Sequence, residues 1–114
     1  MIIVKIIMNV LPDKQKELMQ TLLSMIETAG KEKGCLSYEI FCQIENQTVF
    51  NLIEEWETRE DLDSHLQSEK FSVLLGTKSL LSKPLEMKIH TVSHSEGQEV
   101  VSALRGKGSA KKNV

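Results

Sequence analysis

Trp56 and His65 sit close together in a chain with one tryptophan and three histidines, and Glu54, Tyr38 and Phe71 are the other side chains nearby with chemistry to offer. An imidazole exchanges protons near neutral pH, because its ordinary pKa is about 6.5, so His65 is the natural candidate for a general base. It follows Leu62 by three residues and adjoins Leu66, and a helix there would turn it toward the protein interior. A histidine on such an apolar stripe is more often a satisfied core side chain than a catalyst. Asp61, one turn earlier, either orients the ring through an i,i+4 contact or only complements the helix N-terminus. Trp56 and Phe71 either wall a slot for a planar molecule, with Tyr38 adding a hydroxyl, or are ordinary core rings. Glu54 shares a strand face with Trp56, as a second acid–base group or as half of an ion pair. Asn51 and Asn9 are weaker candidates for polar contacts to a ligand.

Composition narrows the partners. The chain has 114 residues, enough for one core, and a net charge of −2. Such a balance gives no general attraction to phosphate backbones or anionic membranes, so neither nucleic acid nor membrane is expected as a partner. The apolar opening MIIVKIIM is shorter than a membrane span and is interrupted by Lys5, which predicts a strand in a cytoplasmic protein rather than a signal peptide. Cys35 and Cys42 are the only cysteines, and on one regular strand their odd spacing would point them to opposite faces. Free thiols are expected, and no metal site.

The elements that must position these groups follow from periodicity. Met1 to Val10 is apolar at nearly every position, as in a strand covered on both faces. Pro12 breaks it, and Asp13 is available to cap the helix that follows. Leu18, Leu22, Met25, Ile26 and Ala29 mark an amphipathic helix over Lys14–Lys33, with Gly34 placed for a left-handed stop. Leu36, Tyr38, Ile40, Cys42 and Ile44 alternate as the inner face of a strand. A turn at Glu45–Gln47 leads into a partner strand whose faces carry Phe50, Leu52, Glu54 and Trp56 on one side and Val49, Asn51, Ile53 and Glu55 on the other. Thr58 and Ser68 are N-caps for two successive helices, the second weakened at Gly76, and Leu85–Val92 is a fourth strand. The order β-α-β-β-α-β predicts an α+β fold of ferredoxin-like type over residues 1–92, an antiparallel sheet with helices on one face. Residues 93–114 read as a polar tail with a short apolar patch at Val100, Val101 and Leu104. Apolar residues on the uncovered sheet face predict a homodimer packed sheet to sheet.

Two segments carry a resemblance: GCLSYEIF, Gly34 to Phe41, and FNLIEEWETREDLDSHLQSEKF, Phe50 to Phe71, with the proline turn LPDK before them. Together they resemble the antibiotic biosynthesis monooxygenase family of dimeric α+β barrels, over most of Met1 to Val92. The resemblance implies a small pocket between sheet and helices in each subunit. Its members include cofactor-independent oxygenases that insert oxygen from O2 into phenolic or quinol-like molecules, alongside haem degraders, isomerases and lyases. It implies His65 as the catalytic base that removes a phenolic proton, with Trp56, Tyr38, Phe71, Glu54 and Asn51 contacting the substrate. A non-oxidative isomerase or lyase using the same histidine, or a non-catalytic ligand-binding protein, are the alternatives. Haem-degrading relatives resemble one another in a first-strand Asn, a Trp at the position of His65, and an axial His about ten residues later. Here Ile6, His65 and Leu75 stand at those places, which argues against haem and leaves no cofactor expected.

Overall fold

Strand β1, Ile2–Asn9, buries alternate side chains: Ile2, Val4, Ile6 and Met8 face the core, while Lys5 is exposed and Ile3, Ile7 and Asn9 are half-buried. It is therefore a central strand with one sealed face and one open face, not one covered equally on both sides. The computed structural model describes residues 1–106. After β1 come α1 (Gln15–Gly30), β2 (Cys35–Cys42), β3 (Val49–Trp56), α2 (Arg59–Leu66), α3 (Glu69–Leu75), β4 (Glu86–Thr91) and α4 (Gln98–Arg105). The strands form one antiparallel sheet in the order β2-β3-β1-β4, as a ferredoxin-like α+β fold requires. Leu18, Leu22, Met25 and Ala29 of α1, Leu62 of α2, and Phe71 and Leu74 of α3 all pack onto the face that carries Leu52 and Trp56. Among the described residues no helix is long and apolar enough to cross a membrane.

Local chemistry sets the helix ends. Thr58 accepts a hydrogen bond from the Asp61 N–H and Ser68 one from the Phe71 N–H, so both helices start at their expected caps. Replacing Thr58 with alanine is expected to cost about 1 kcal/mol, read as a lower midpoint in thermal or denaturant unfolding. The glycine at position 76 marks the change from the α3 helix to a 3-10 turn, Gly76–Leu80. Asp13 does not cap α1. It lies inside a 3-10 turn, Pro12–Lys14, and Lys14 precedes the helix without a side-chain cap. α1 ends at Gly30, before a turn through Lys31–Lys33. Gly34 follows with φ +82°, a backbone conformation L side chains adopt only with strain.

β2 departs from regular alternation. Cys35 pairs with Trp56 and Ser37 with Glu55, so Leu36 is an extra residue in a β-bulge and is exposed rather than on the inner face. From Tyr38 onward the register opposite Glu54, Leu52 and Phe50 is regular. The bulge also brings Cys35 and Cys42 to the same face, because each now sits opposite an inward residue of β3; both remain free thiols. Ile44 lies in the loop beyond β2, almost fully exposed, and does not extend the inner face. The segment after β4 carries α4, which buries none of its residues. Positions 107–114, the end of the basic tail, lie outside the described residues.

Candidate active site

Glu54 and Trp56 project from the end of β3 onto the helix side of the sheet, and Tyr38 projects beside them from β2, directly opposite Glu54. Above them α2 brings in His65, one turn after Asp61, and α3 brings in Phe71. The imidazole is completely buried. It lies against the Trp56 indole with ring centroids 4.7 Å apart and planes tilted by 31°, and it meets Phe71 at 5.7 Å and Tyr38 at 6.1 Å edge to face. Aromatic walls on three sides fix the plane of the ring.

Hydrogen bonds then fix its chemistry. His65 Nδ1–H donates to Glu32 Oε2 at 2.9 Å, so in the neutral imidazole the proton is on Nδ1 and Nε2 is the acceptor. Nε2 lies 3.8 Å from Glu54 Oε1, too far for a hydrogen bond, and that oxygen already accepts from Trp56 Nε1–H at 2.8 Å. Three buried polar atoms of this cluster have no hydrogen-bond partner among the described residues: His65 Nε2, Glu54 Oε2 and the Tyr38 hydroxyl. Buried polar groups are ordinarily paired, since leaving one unpaired costs about 1–3 kcal/mol. All three belong to side chains clustered at the imidazole, and they leave unspent hydrogen-bonding capacity at this spot in the aromatic enclosure.

The electrostatics favour a neutral donor at that spot. Burial, with the nearby Glu54 and Glu32 charges, holds the Tyr38 hydroxyl far above its ordinary pKa, so it stays protonated and can donate. Burial also raises Glu54. The Trp56 hydrogen bond and the His65 ring act the other way, but they do not cancel the shift. Cys35, at the rim, is raised by burial and by the same two carboxylates, so it stays a thiol. An acid whose folded pKa lies above its unfolded value holds more protons in the native state. Stability is then lost as pH rises from the ordinary glutamate value through the folded one. Glu54→Gln keeps an oxygen to accept from Trp56 and removes this titration. A flatter stability curve from mildly acidic to neutral pH is the expected result in denaturant unfolding at a series of pH values.

Sequence periodicity points Trp56, Tyr38, Glu54, His65 and Phe71 inward, and they lie together in the fold. Asn51 does not join them. It is on the opposite face of β3, between Ile7 and Phe41, an outer-face residue rather than one that lines the cluster as expected of a substrate contact. Asn9 is likewise on the outer face of β1. Asp61 does not touch the imidazole: its carboxylate accepts from the Thr58 hydroxyl and packs on Gly34, which makes it part of the helix cap. The carboxylate that orients His65 is Glu32, which reads in the sequence as a solvent-facing residue at the end of α1. No local pattern couples positions 32 and 65; only the chain reversal at Gly34 does. A separate surface hollow of about 180 Å³ lies at the other end of the β2–β3 pair, between Gln15, Met19, Cys42, Gln47 and Phe50. No periodicity singles it out.

A sheet of this topology is matched by known proteins. Residues 1–74 fit the family model described as antibiotic biosynthesis monooxygenase. The chain belongs to that family. It is 25% identical to the "Putative monooxygenase YcnE" of Bacillus subtilis (strain 168) over 88 residues, 76% of this chain and 93% of that protein. A conserved protein from Methanosarcina mazei Go1 superposes with a TM-score of 0.75 at 32% identity, over 78% of this chain and 89% of that one. Rv0793 from Mycobacterium tuberculosis shares the fold at a TM-score of 0.77 and 23% identity, over 84% of this chain and 98% of that one.

Proposed function

We propose that the protein is a monooxygenase that oxidises a small aromatic, phenolic or quinol-type molecule with O2. In this reading His65 removes the proton that makes the substrate electron-rich enough to react. The observation that carries it is the buried His65 ring, with Nδ1 held by Glu32 and Nε2 unpaired beside Tyr38 and Glu54. The family to which the chain belongs, and the description of the YcnE relative, support the reaction class. Deprotonating a phenol raises the electron density of its ring, and a base beside a neutral hydroxyl can take the proton while Tyr38 holds the oxygen. Trp56 and Phe71 offer flat apolar walls to a planar substrate. Because the site is closed, a wall moves for the substrate to arrive. α3, a helix of 7 residues that gives way to a 3-10 turn at Gly76, is the wall we assign to that motion.

In this reading the reaction needs no resident cofactor. The position of a haem-degrading asparagine is taken by Ile6, which is packed in the core, and that of an axial histidine by Leu75, which has no ligating atom. A Soret band appearing on haem titration would contradict this. The working unit is a homodimer. Ile3, Ile7, Ile53 and Phe41 set apolar positions among the polar and charged residues of the sheet face away from the helices, and a second copy packed there removes them from water. Ile53→Lys is expected to shift sedimentation toward the monomer, and an unchanged dimer would place the interface elsewhere.

The experiment for the activity is oxygen uptake with a panel of hydroquinones and anthrones, paired with the same reactions under anaerobic conditions. Oxidation that stops without O2 supports a monooxygenase. Turnover that continues without O2 points instead to a His65-dependent isomerase or lyase, since the same geometry serves proton transfer alone.

A further inference from the structure

His65, Glu54, Trp56 and Tyr38 are all buried, so any proton that the imidazole trades with water needs a route to the surface. The His65 and Glu54 side chains are 0% exposed, whereas the Glu32 side chain, hydrogen-bonded to the imidazole, is 16% exposed. Glu32 is also held in place. It lies in the turn after α1, where its N–H donates to Ala29 O and its carbonyl accepts from the Cys35 N–H, each at 3.1 Å. One oxygen of its carboxylate therefore faces the buried ring while the side chain reaches the surface. We propose that Glu32 is the proton port of this site, carrying protons between His65 Nδ1 and bulk water. The inference rests on the reading of His65 as the base.

The steps balance without a redox change. The substrate O–H bond breaks and an N–H bond forms at Nε2. The Nδ1–H bond then breaks, the proton passes to Glu32 Oε2, and the carboxylic acid releases it to water. The ring is now neutral with its proton on Nε2. In the second half Nε2–H returns its proton to the oxygen anion left by the reaction, while Glu32 takes a proton from water and restores Nδ1–H. An imidazole can do this because its two nitrogens exchange roles as one gains and the other loses a proton. The other titratable groups around the ring serve poorly. Tyr38 and Glu54 are buried, and Cys35, half-buried, donates its thiol proton to Ser37 O. Glu32 thus has two roles: it positions the ring, and it conducts.

The port can be tested without a substrate by NMR on protein labelled with 15N-histidine, following exchange of the His65 ring N–H with water. Glu32→Gln preserves the shape of the side chain and can still accept from Nδ1–H, but it cannot carry the proton onward. Exchange is expected to slow on the order of tenfold to a hundredfold, in keeping with the loss of a positioned acid–base group. Glu32→Asp should recover part of the rate. Glu32→Ala should be slow in plain buffer and faster with added formate, which supplies a carboxylate through the opening the side chain leaves. A purely structural role predicts the opposite, since a loosened enclosure admits water and speeds exchange, and formate has no effect. Equal or faster exchange in a folded Glu32→Gln protein, or formate insensitivity of Glu32→Ala, overturns the proposal. Failure of the base reading is distinguishable. If oxygen uptake survives His65→Ala while exchange depends on Glu32, the port stands and the reaction assignment falls. If uptake depends on His65 while exchange ignores Glu32, the port falls alone.

Discussion

His65→Ala is expected to lower the rate of substrate oxidation by roughly 10²–10⁴-fold, the usual contribution of a positioned general base. The loss should appear in kcat rather than in KM alone, because the aromatic walls at Trp56 and Phe71 would still bind the substrate. Truncation also leaves Glu32 without the ring it accepts from and removes a face of Trp56, so some stability goes with it. His65→Gln separates the two effects. An amide of similar reach can refill part of the space and donate to Glu32, but it cannot accept a proton at the position of Nε2. A folded, inactive His65→Gln protein is the expected outcome, and undiminished oxygen uptake would remove the imidazole from the mechanism.

Gly34→Ala should be the most damaging substitution to stability outside the packed core. Two costs add. An L side chain at φ +82° is strained by about 1–2 kcal/mol, and the new Cβ would lie within the Asp61 side chain, where real atoms cannot sit. Asp61 can escape only by giving up its hydrogen bond from Thr58 at the start of α2. A total loss of about 3 kcal/mol is expected, measurable in denaturant unfolding. Asp61→Gly in the same protein should return the steric share, less about 1 kcal/mol for a glycine in the first turn of α2, and leave the backbone share. The site feels this position as well. Gly34 joins the turn holding Glu32 to the strand holding Tyr38, and its carbonyl accepts from the Glu57 N–H at 2.8 Å, beside Trp56.

Much of this was legible in the sequence, for physical reasons that also show where it failed. A stripe at spacings of three and four needs only local helix geometry, so α1 and its buried Leu18, Leu22, Met25 and Ala29 follow from the residues alone. The caps at Thr58 and Ser68 and the positive φ at Gly34 are short-range effects of the same kind. β3 alternates without interruption, which is enough to put Glu54 and Trp56 on the helix side. β2 was misread at Leu36 because a bulge is set by pairing with a neighbouring strand, and a period-two pattern cannot register the extra residue. The same slip explains the wrong faces for Cys35 and Cys42. Asn51 lies apart from the other candidates because of its strand parity, which already placed it with Val49 and Ile53. Glu32 was missed for a different reason. Its partner lies 33 residues away, and a carboxylate at a helix end looks the same whether it meets water or an imidazole.

The account turns on where a substrate oxygen binds. A crystal structure of the protein with a bound hydroquinone or anthrone would locate it directly. The expected result places that oxygen within hydrogen-bond distance of His65 Nε2 and the Tyr38 hydroxyl, with α3 displaced and the ring of the ligand between Trp56 and Phe71. Ligand seated instead in the hollow at Gln15, Met19 and Cys42, with the imidazole still sealed, would contradict it.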